Sequence, residues 1–243
     1  MQFQTNSWEK YSMQKVKCTA IVLAAGQGKR MGTTVQKQYL EIQGKPVLYY
    51  SLNAFQKSEI IDDIVLVVGE GQKEYCQTEF VDKYGFTKVS QIVYGGSERY
   101  FSVWNGLQVI NDSDYVYIHD GARPFVTEEI VARVFKCVQI EKACVVGMPV
   151  KDTIKIADSN GYADYTPNRS LVWMVQTPQV FELSLIKEAY AKLMELEDIP
   201  VTDDAMVVEQ MLGKKVKLVE GSYENIKITT PEDLFVAESF MKK

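Results

Sequence analysis

The sequence predicts an α/β domain: a mostly parallel, twisted sheet with helices on both faces and a β-hairpin projecting from it. Three observations lead there. Short apolar runs alternate with amphipathic segments of helical period along most of the 243 residues, the pattern of strands joined by crossover helices. Runs such as AIVL at 20–23 and IVLVV at 64–68 are continuously apolar, which suits strands buried on both faces. One segment, 150–173, breaks the alternation with polar residues around Ser159-Asn160-Gly161, a hairpin turn signal.

The elements follow in order. Residues 1–15 are polar, carry Trp8 and Tyr11 and lack an apolar leader core, so they read as an extension before a single domain, 16–243. The first strand is expected at 17–23. Behind it comes a loop with Gly26, Gly28 and Gly32, the cations Lys29 and Arg30, and then Lys37. Pro46 suits the first turn of a helix whose Val47, Tyr50, Ala54 and Phe55 share a face. Strands at 63–68 and 89–94 precede Gly95-Gly96-Ser97, where Ser97 is placed to cap a helix bearing Tyr100, Val103, Trp104 and Leu107. A strand at 115–119 leads to Asp120, and Thr127 with Glu128 and Glu129 starts a helix carrying Val131, Val134 and Val138. The strand 143–148 runs into the hairpin. A lone hairpin is marginal in water, so it is expected to pack against something, most simply the same arm of a second subunit. Leu185, Ile186, Ala189, Tyr190 and Leu193 mark a helix, and Thr202-Asp203-Asp204 can cap another over 205–211. Strands are expected at 216–220 and 225–228, and Thr230-Pro231-Glu232 opens the last helix.

Composition narrows the function. Hydrophobic residues are 46%, charged residues 24% and the net charge is −5. A general nucleic-acid surface needs a basic face and is disfavoured, so phosphate binding has to come from local cations. The four cysteines (Cys18, Cys76, Cys137 and Cys144) form no C-x-x-C pair, and three lie in apolar runs. Neither zinc nor a disulfide framework is expected. No apolar stretch reaches the roughly 18 residues of a membrane-spanning helix, and a cytoplasmic location is the expectation.

The glycine loop decides between three phosphate sites. A P-loop needs Gly-Lys-Ser/Thr, but Gly28 is followed by Lys29 and Arg30, so no hydroxyl waits for magnesium. A dinucleotide fingerprint starting at Gly26 and Gly28 finds Met31 at its third glycine, which disfavours an NAD-dependent oxidoreductase. What remains is L-A-A-G-x-G-x-R-M-G followed by lysine, which resembles the signature of sugar-phosphate nucleotidyltransferases. A solvated glycine turn is the plainer alternative, and the order strand, Ala-Ala-Gly, Arg, Lys outweighs it.

Candidate site residues collect where parallel strands end, the usual ligand edge of such sheets. Asp120 follows an apolar strand and precedes a glycine, so its carboxylate can hold a divalent cation between triphosphate oxygens; capping the turn to Pro124 is the structural alternative. His119 is the only histidine. Neighbours on a strand point to opposite faces, so if Asp120 faces the site His119 does not. Gly95-Gly96 can let a flat base approach the backbone, and Ser102 can offer it a hydroxyl. Arg169 lies on the hairpin and Lys227 alternates with Ile226 and Ile228. For each of these two alone a solvated charge is the default.

The strings LAAGQGKRMG, QKQYL, GGSERYFSV, HDGARPFV, PVKDTIK, QTPQVF, TDDAMVVE and NIKITTPEDL, in this order across 17–240, resemble the 2-C-methyl-D-erythritol 4-phosphate cytidylyltransferase family. The resemblance implies a Rossmann-like nucleotidyltransferase domain whose arm interlocks two subunits. It implies magnesium-dependent transfer of cytidylyl from CTP to a sugar-alcohol phosphate, releasing pyrophosphate. It makes Arg30 and Lys37 stabilisers of charge on the α-phosphate and leaving pyrophosphate. Ala24, Ala25, Gly26, Gly28, Gly96 and Ser102 surround the nucleotide, and Asp120 lies near metal and sugar, directly or through water. Arg169 and Lys227 position the sugar phosphate, with Arg123, Thr153, Thr177 and Thr202 nearby. Gln36 stands where the family usually has proline, an exchange expected to loosen that loop; Leu23 and Gly121 are milder departures. The rivals are a ribitol-5-phosphate cytidylyltransferase, against which Lys155 and Arg169…Trp173…Gln176 speak, and a non-catalytic nucleotide-binding protein of the same fold.

Overall fold

The computed structural model describes residues 15–26, 36–197 and 201–242. In chain order the elements are β1 (Cys18–Ala24), β2 (Glu41–Ile42), β3 (Lys45–Pro46), α1 (Val47–Lys57), β4 (Asp63–Val68), α2 (Lys73–Cys76, continued by a wider turn over Gln77–Asp82), β5 (Val89–Tyr94), α3 (Arg99–Gln108), β6 (Tyr115–Asp120), α4 (Glu128–Glu141), β7 (Ala143–Pro149), β8 (Ile156–Ala157), β9 (Ala163–Tyr165), β10 (Trp173–Glu182), α5 (Leu183–Leu193), α6 (Asp204–Leu212), β11 (Lys217–Glu220) and α7 (Pro231–Met241). Seven strands form one sheet in the order β11-β7-β10-β6-β1-β4-β5. All its pairings are parallel except those of β10, which runs antiparallel to β6 and β7. The chain steps outward from β1 to β4 and β5 and then returns to β6 on the other side of β1, so the crevice beyond β1 and β6 is a topological switch point.

Strand parity assigns each face its cover. Ala20, Val22 and Ala24 of β1 pack with Leu48, Leu52 and Phe55 of α1 and Ile130, Val131 and Val134 of α4. Ile21, between them, packs on the other face with Val103 and Leu107 of α3, Ile186 and Tyr190 of α5, and Val207 and Val208 of α6. The same alternation in β6 sends Tyr115 and Tyr117 to the α1–α4 face and Val116 and Ile118 to the α3–α6 face.

Four expectations are corrected. Strand β10 is absent from the sequence reading because Gln176 and Pro178 interrupt its apolar pattern. Its register shifts between Val175 and Gln179, and that irregularity accommodates a proline inside a sheet. The segment 225–228 is no strand: it crosses the end of the sheet, where Ile228 N–H donates to Ala122 O at 2.8 Å. Ser97 does not cap α3, whose N-cap is Glu98, without a side-chain bond. The short helix α2 lies between β4 and β5, where no helix was expected. The other caps are as read: Thr127 accepts from Ile130 N–H, Asp203 from Met206 N–H, and Thr230 forms a capping box with Asp233. In the hairpin β8–β9, Asp158 accepts from the N–H groups of Asn160 and Tyr162 and Gly161 takes φ +86°, a left-handed turn that glycine makes without strain.

Candidate functional site

The carboxyl ends of β1, β5 and β6 surround a cavity of about 630 Å³, lined by Leu23, Ala25, Gly26, Lys37, Gln38, Gly96, Ser97, Glu98, Arg99, Ser102, Asp120, Ala122 and Lys227. This is the size range of small-molecule sites. Its floor depends on close backbone approach. A Cβ on Gly95 would meet Ala25 Cβ at 2.4 Å, and one on Gly96 would meet Phe101 Cβ at 2.3 Å. Ser102 Oγ accepts from Gly96 N–H at 3.1 Å, tying this loop to α3.

Gln38 secures the opposite wall. Its buried amide Nε2 donates to Ala24 O at 2.6 Å, Gly26 O at 3.2 Å and Gln36 Oε1 at 2.7 Å. The chain at the end of β1, at Ala24 and Gly26, and the turn carrying Lys37 are thus held together by one side chain. Gln36, in the place where proline was expected, adds a bond to this wall.

Asp120 is the electrostatic centre. Arg99 Nε donates to its Oδ1 at 3.3 Å, Lys227 Nζ to its Oδ2 at 2.7 Å, and Arg123 Nε lies 3.8 Å from Oδ2. Burial by itself would push its carboxyl up; the charges of Arg99, Lys227 and Arg123 outweigh burial and hold it well below the usual carboxylate range. Parity explains the company: Asp120 leaves β6 on the α3–α6 face, where Arg99 waits at the start of α3. Both terminal nitrogens of Arg99 donate to Asp204, at 2.8 Å each, and Tyr190 Oη donates to Asp204 Oδ1 at 2.6 Å.

His119 points the other way, edge-on to Phe55. Its Nε2 lies 3.1 Å from Arg123 O, an acceptor, so that nitrogen carries the proton; Nδ1 accepts from Thr177 Oγ1 at 3.1 Å. Thr177 in turn accepts from Asp120 N–H at 3.1 Å. Burial pushes the imidazole down to about 4, so it is neutral near pH 7 and braces Asp120 from behind. Lys227 is placed by its own segment. Asn225 Nδ2 donates to Thr177 O and Gln176 Oε1, Arg123 donates to Asn225 O, and Ile228 is buried.

Of the residues singled out from the sequence, Ala25, Gly26, Lys37, Gly96, Ser102, Asp120 and Lys227 meet at the cavity. Ala24 lies buried at the end of β1, and Arg123 and Thr177 stand behind Asp120. Gly28 and Arg30 lie outside the described residues. Thr153, Arg169 and Thr202 are exposed and do not line the cavity; Arg169 donates to Lys151 O at the root of the arm. Sequence reasoning missed Arg99, Asp204 and Gln38. Arg99 carried a signal, since a cation in the first turn opposes the helix dipole and implies an anionic partner. The doubled Asp203-Asp204 carried another, because a cap needs only one.

Comparison with known proteins gives a consistent result. Residues 18–243 match the family model described as 2-C-methyl-D-erythritol 4-phosphate cytidylyltransferase. Proteins of that name from Lachnoclostridium phytofermentans and Caldanaerobacter subterraneus are 52% and 51% identical, over 95% and 93% of this chain and 98% and 99% of theirs. The crystal structure of 4-diphosphocytidyl-2C-methyl-D-erythritol synthase from Anaerococcus prevotii superposes with a TM-score of 0.83 at 36% identity, covering 94% of this chain and 97% of that one. That of the cytidylyltransferase from Thermus thermophilus gives 0.73 at 31%, covering 92% and 98%.

Proposed function

The chain belongs to the 2-C-methyl-D-erythritol 4-phosphate cytidylyltransferase family, and from that premise we propose how its cavity carries out the transfer. The reaction joins methylerythritol phosphate to CTP: a phosphate oxygen of the sugar attacks the α-phosphorus, the bond to the β-phosphate breaks, and pyrophosphate leaves. The nucleophile is already an anion, so no general base is needed, and the single histidine is buried away from the cavity. Catalysis then rests on positioning and charge neutralisation. The observation that carries the reading is the convergence of Lys37, Lys227 and Arg99 on one cavity around Asp120, beside Ala25 and Gly26.

In this reading Ala24, Ala25, Gly26, Gly28, Gly96 and Ser102 cradle the nucleotide. Arg30 and Lys37 stabilise the developing charge on the α-phosphate and pyrophosphate. Lys227, aimed by Asp120, takes the phosphate of the incoming sugar together with Arg169, while Arg123, Thr153, Thr177 and Thr202 complete the sugar side. Thr153 and Arg169 stand on the arm, so their part requires the arm of a second subunit, and the protein acts as a homodimer. Among the described residues no three His, Cys, Asp or Glu side chains gather at one point, and both oxygens of Asp120 already face cations. Asp120 is the residue that would hold a magnesium ion carried by the triphosphate, directly or through water. When bound, the ion supplies charge neutralisation along the triphosphate. A cytoplasmic location belongs to the same reading; no helix among the described residues is long and apolar enough to cross a membrane.

The test is pyrophosphate release from CTP with methylerythritol phosphate and, separately, ribitol 5-phosphate. Preference for methylerythritol phosphate is expected. Preference for ribitol phosphate reverses the substrate, and no release with either leaves a nucleotide-binding protein.

A further inference from the structure

Asp204 is fully buried and does not reach the cavity, yet it engages the cavity's arginine more closely than Asp120 does. Its two oxygens take both terminal nitrogens of Arg99 at 2.8 Å, leaving Nε to face Asp120 Oδ1 at 3.3 Å. The planar fork of arginine fixes these directions together. Asp120 is thereby oriented with Oδ1 toward Arg99 and Oδ2 toward Lys227. Asp204 is itself held from two sides. Tyr190 Oη donates to it at 2.6 Å; burial first, and then the Asp204 charge, push that phenol well above its ordinary value, so it remains a donor. The start of α6 is pinned to β10, where Gln179 accepts from Ala205 N–H at 2.9 Å and donates to Asp203 at 3.0 Å.

We propose that Asp204, braced by Tyr190, is a positioning residue for cytidylyl transfer: through Arg99 it fixes the Asp120 carboxylate, and through Asp120 the ammonium of Lys227. A buried ion pair is a weak means of stabilising a fold compared with apolar packing. Here it lies one residue behind the cavity wall, in an unbroken chain of hydrogen bonds from the α5 core to the group that meets the sugar phosphate. The inference rests on the assignment of Asp120 and Lys227 to the site.

The experiment is steady-state pyrophosphate release by the full chain, with thermal melts alongside. Asp204→Asn keeps the shape and removes the charge. It should lower kcat by about 10–100-fold with KM little changed, by analogy with the outer-shell partners of metal ligands; Tyr190→Phe should act in the same direction and less. Arg99→Lys keeps the charge without the fork and should be as slow as Asp204→Asn. In an Asp120→Asn background, Asp204→Asn should lose most of its effect, because it acts through Asp120. A merely structural role predicts lower melting temperatures with unchanged kcat in Tyr190→Phe and Arg99→Lys, or an undiminished Asp204→Asn effect in the Asp120→Asn background; either result overturns the proposal. If Asp204→Asn does not fold, Tyr190→Phe decides, measured alone and in the Asp120→Asn background. If Asp120→Asn turns over like the unaltered enzyme, the assignment of the site fails and this inference with it.

Discussion

Asp120 and Arg169 both stand in the sequence as charged binding candidates, and the fold treats them in opposite ways. Asp120 is 8% exposed and surrounded by Arg99, Lys227 and Arg123. Arg169 is exposed, on an arm whose Tyr162 is 75% exposed and whose strands are two and three residues long. One wall is built within the chain and pre-oriented. The other side holds the proposed sugar-phosphate groups on a projection whose side chains are mostly exposed. The two are joined at the root of the arm: Tyr223 Oη donates to Pro149 O, Lys151 Nζ lies 3.5 Å from the Tyr223 ring centre, and Tyr223 belongs to the segment that places Lys227. The difference separates a site half that each subunit supplies to itself from one that the proposed dimer supplies.

The largest expected effects test that division. Lys227→Ala and Arg169→Ala should each lower kcat/KM by about 10²–10³-fold, by analogy with loss of one oxyanion donor, with circular dichroism unchanged. Mixing the two inactive variants under subunit exchange should restore activity. If the arm completes the partner's site, a mixed dimer has one intact site of two, and random mixing should return roughly one quarter of full activity. Absence of recovery, with exchange demonstrated, would place Arg169 and Lys227 in the same subunit's site and break the comparison.

A smaller effect reports on the built wall alone. His119 titrates at about 4 in the fold, against an ordinary value of about 6.5. As pH falls below 6.5 the unfolded chain takes up this proton first, so stability is present above that pH and is lost on the way down to 4. The loss attributable to His119 is on the order of 3 kcal/mol. Besides Thr177 and the Arg123 carbonyl, the groups it feels are the charges of Asp120, Arg123 and Lys227. Melting curves from pH 7 to 4 should therefore flatten in His119→Gln relative to the unaltered protein; parallel curves would remove His119 from the acid response.

The two regions also differ in how far they were legible. Ala25, Gly26 and Asp120 could be placed at one cavity because local pattern dictates them: an apolar strand, its parity, and residues at its carboxyl end; Lys227 was singled out only by its alternation with Ile226 and Ile228. The hairpin was legible for the same reason, from Asn160-Gly161 and alternation. What escaped was held by contacts between distant parts of the chain. Arg99 and Asp204 are far apart in sequence and meet only because α3 and α6 cover one face of the sheet. Strand β10 escaped because its irregularity at Gln176-Thr177-Pro178 serves the site, giving Thr177 to Asp120 and Gln176 to Asn225. The expected strand at 225–228 failed because its alternation serves side-chain placement, with Ile228 buried and Lys227 toward Asp120, while no strand edge lies beside it.

The smallest expected effect sharpens the account of the wall opposite Asp120. Gln36 was expected to loosen the loop before Lys37, of which residues 27–35 lie outside the described residues; Gln36 itself accepts from Gln38 through Oε1, and its φ is −64°, the value a proline ring imposes. Side-chain bonding and ring closure are two routes to the same local order. Gln36→Pro should therefore keep kcat and leave stability unchanged or raised by about 0.5–1 kcal/mol, through the smaller freedom of the unfolded chain. Gln36→Ala has neither device and should raise KM for CTP a few-fold, since one neutral hydrogen bond contributes about 1 kcal/mol. Gln38→Ala, which releases Ala24 and Gly26 as well, should exceed it. If Gln36→Ala and Gln36→Pro bind CTP equally well, the bond to Gln38 is dispensable, and the order of this wall comes from the bonds of Gln38 to Ala24 and Gly26.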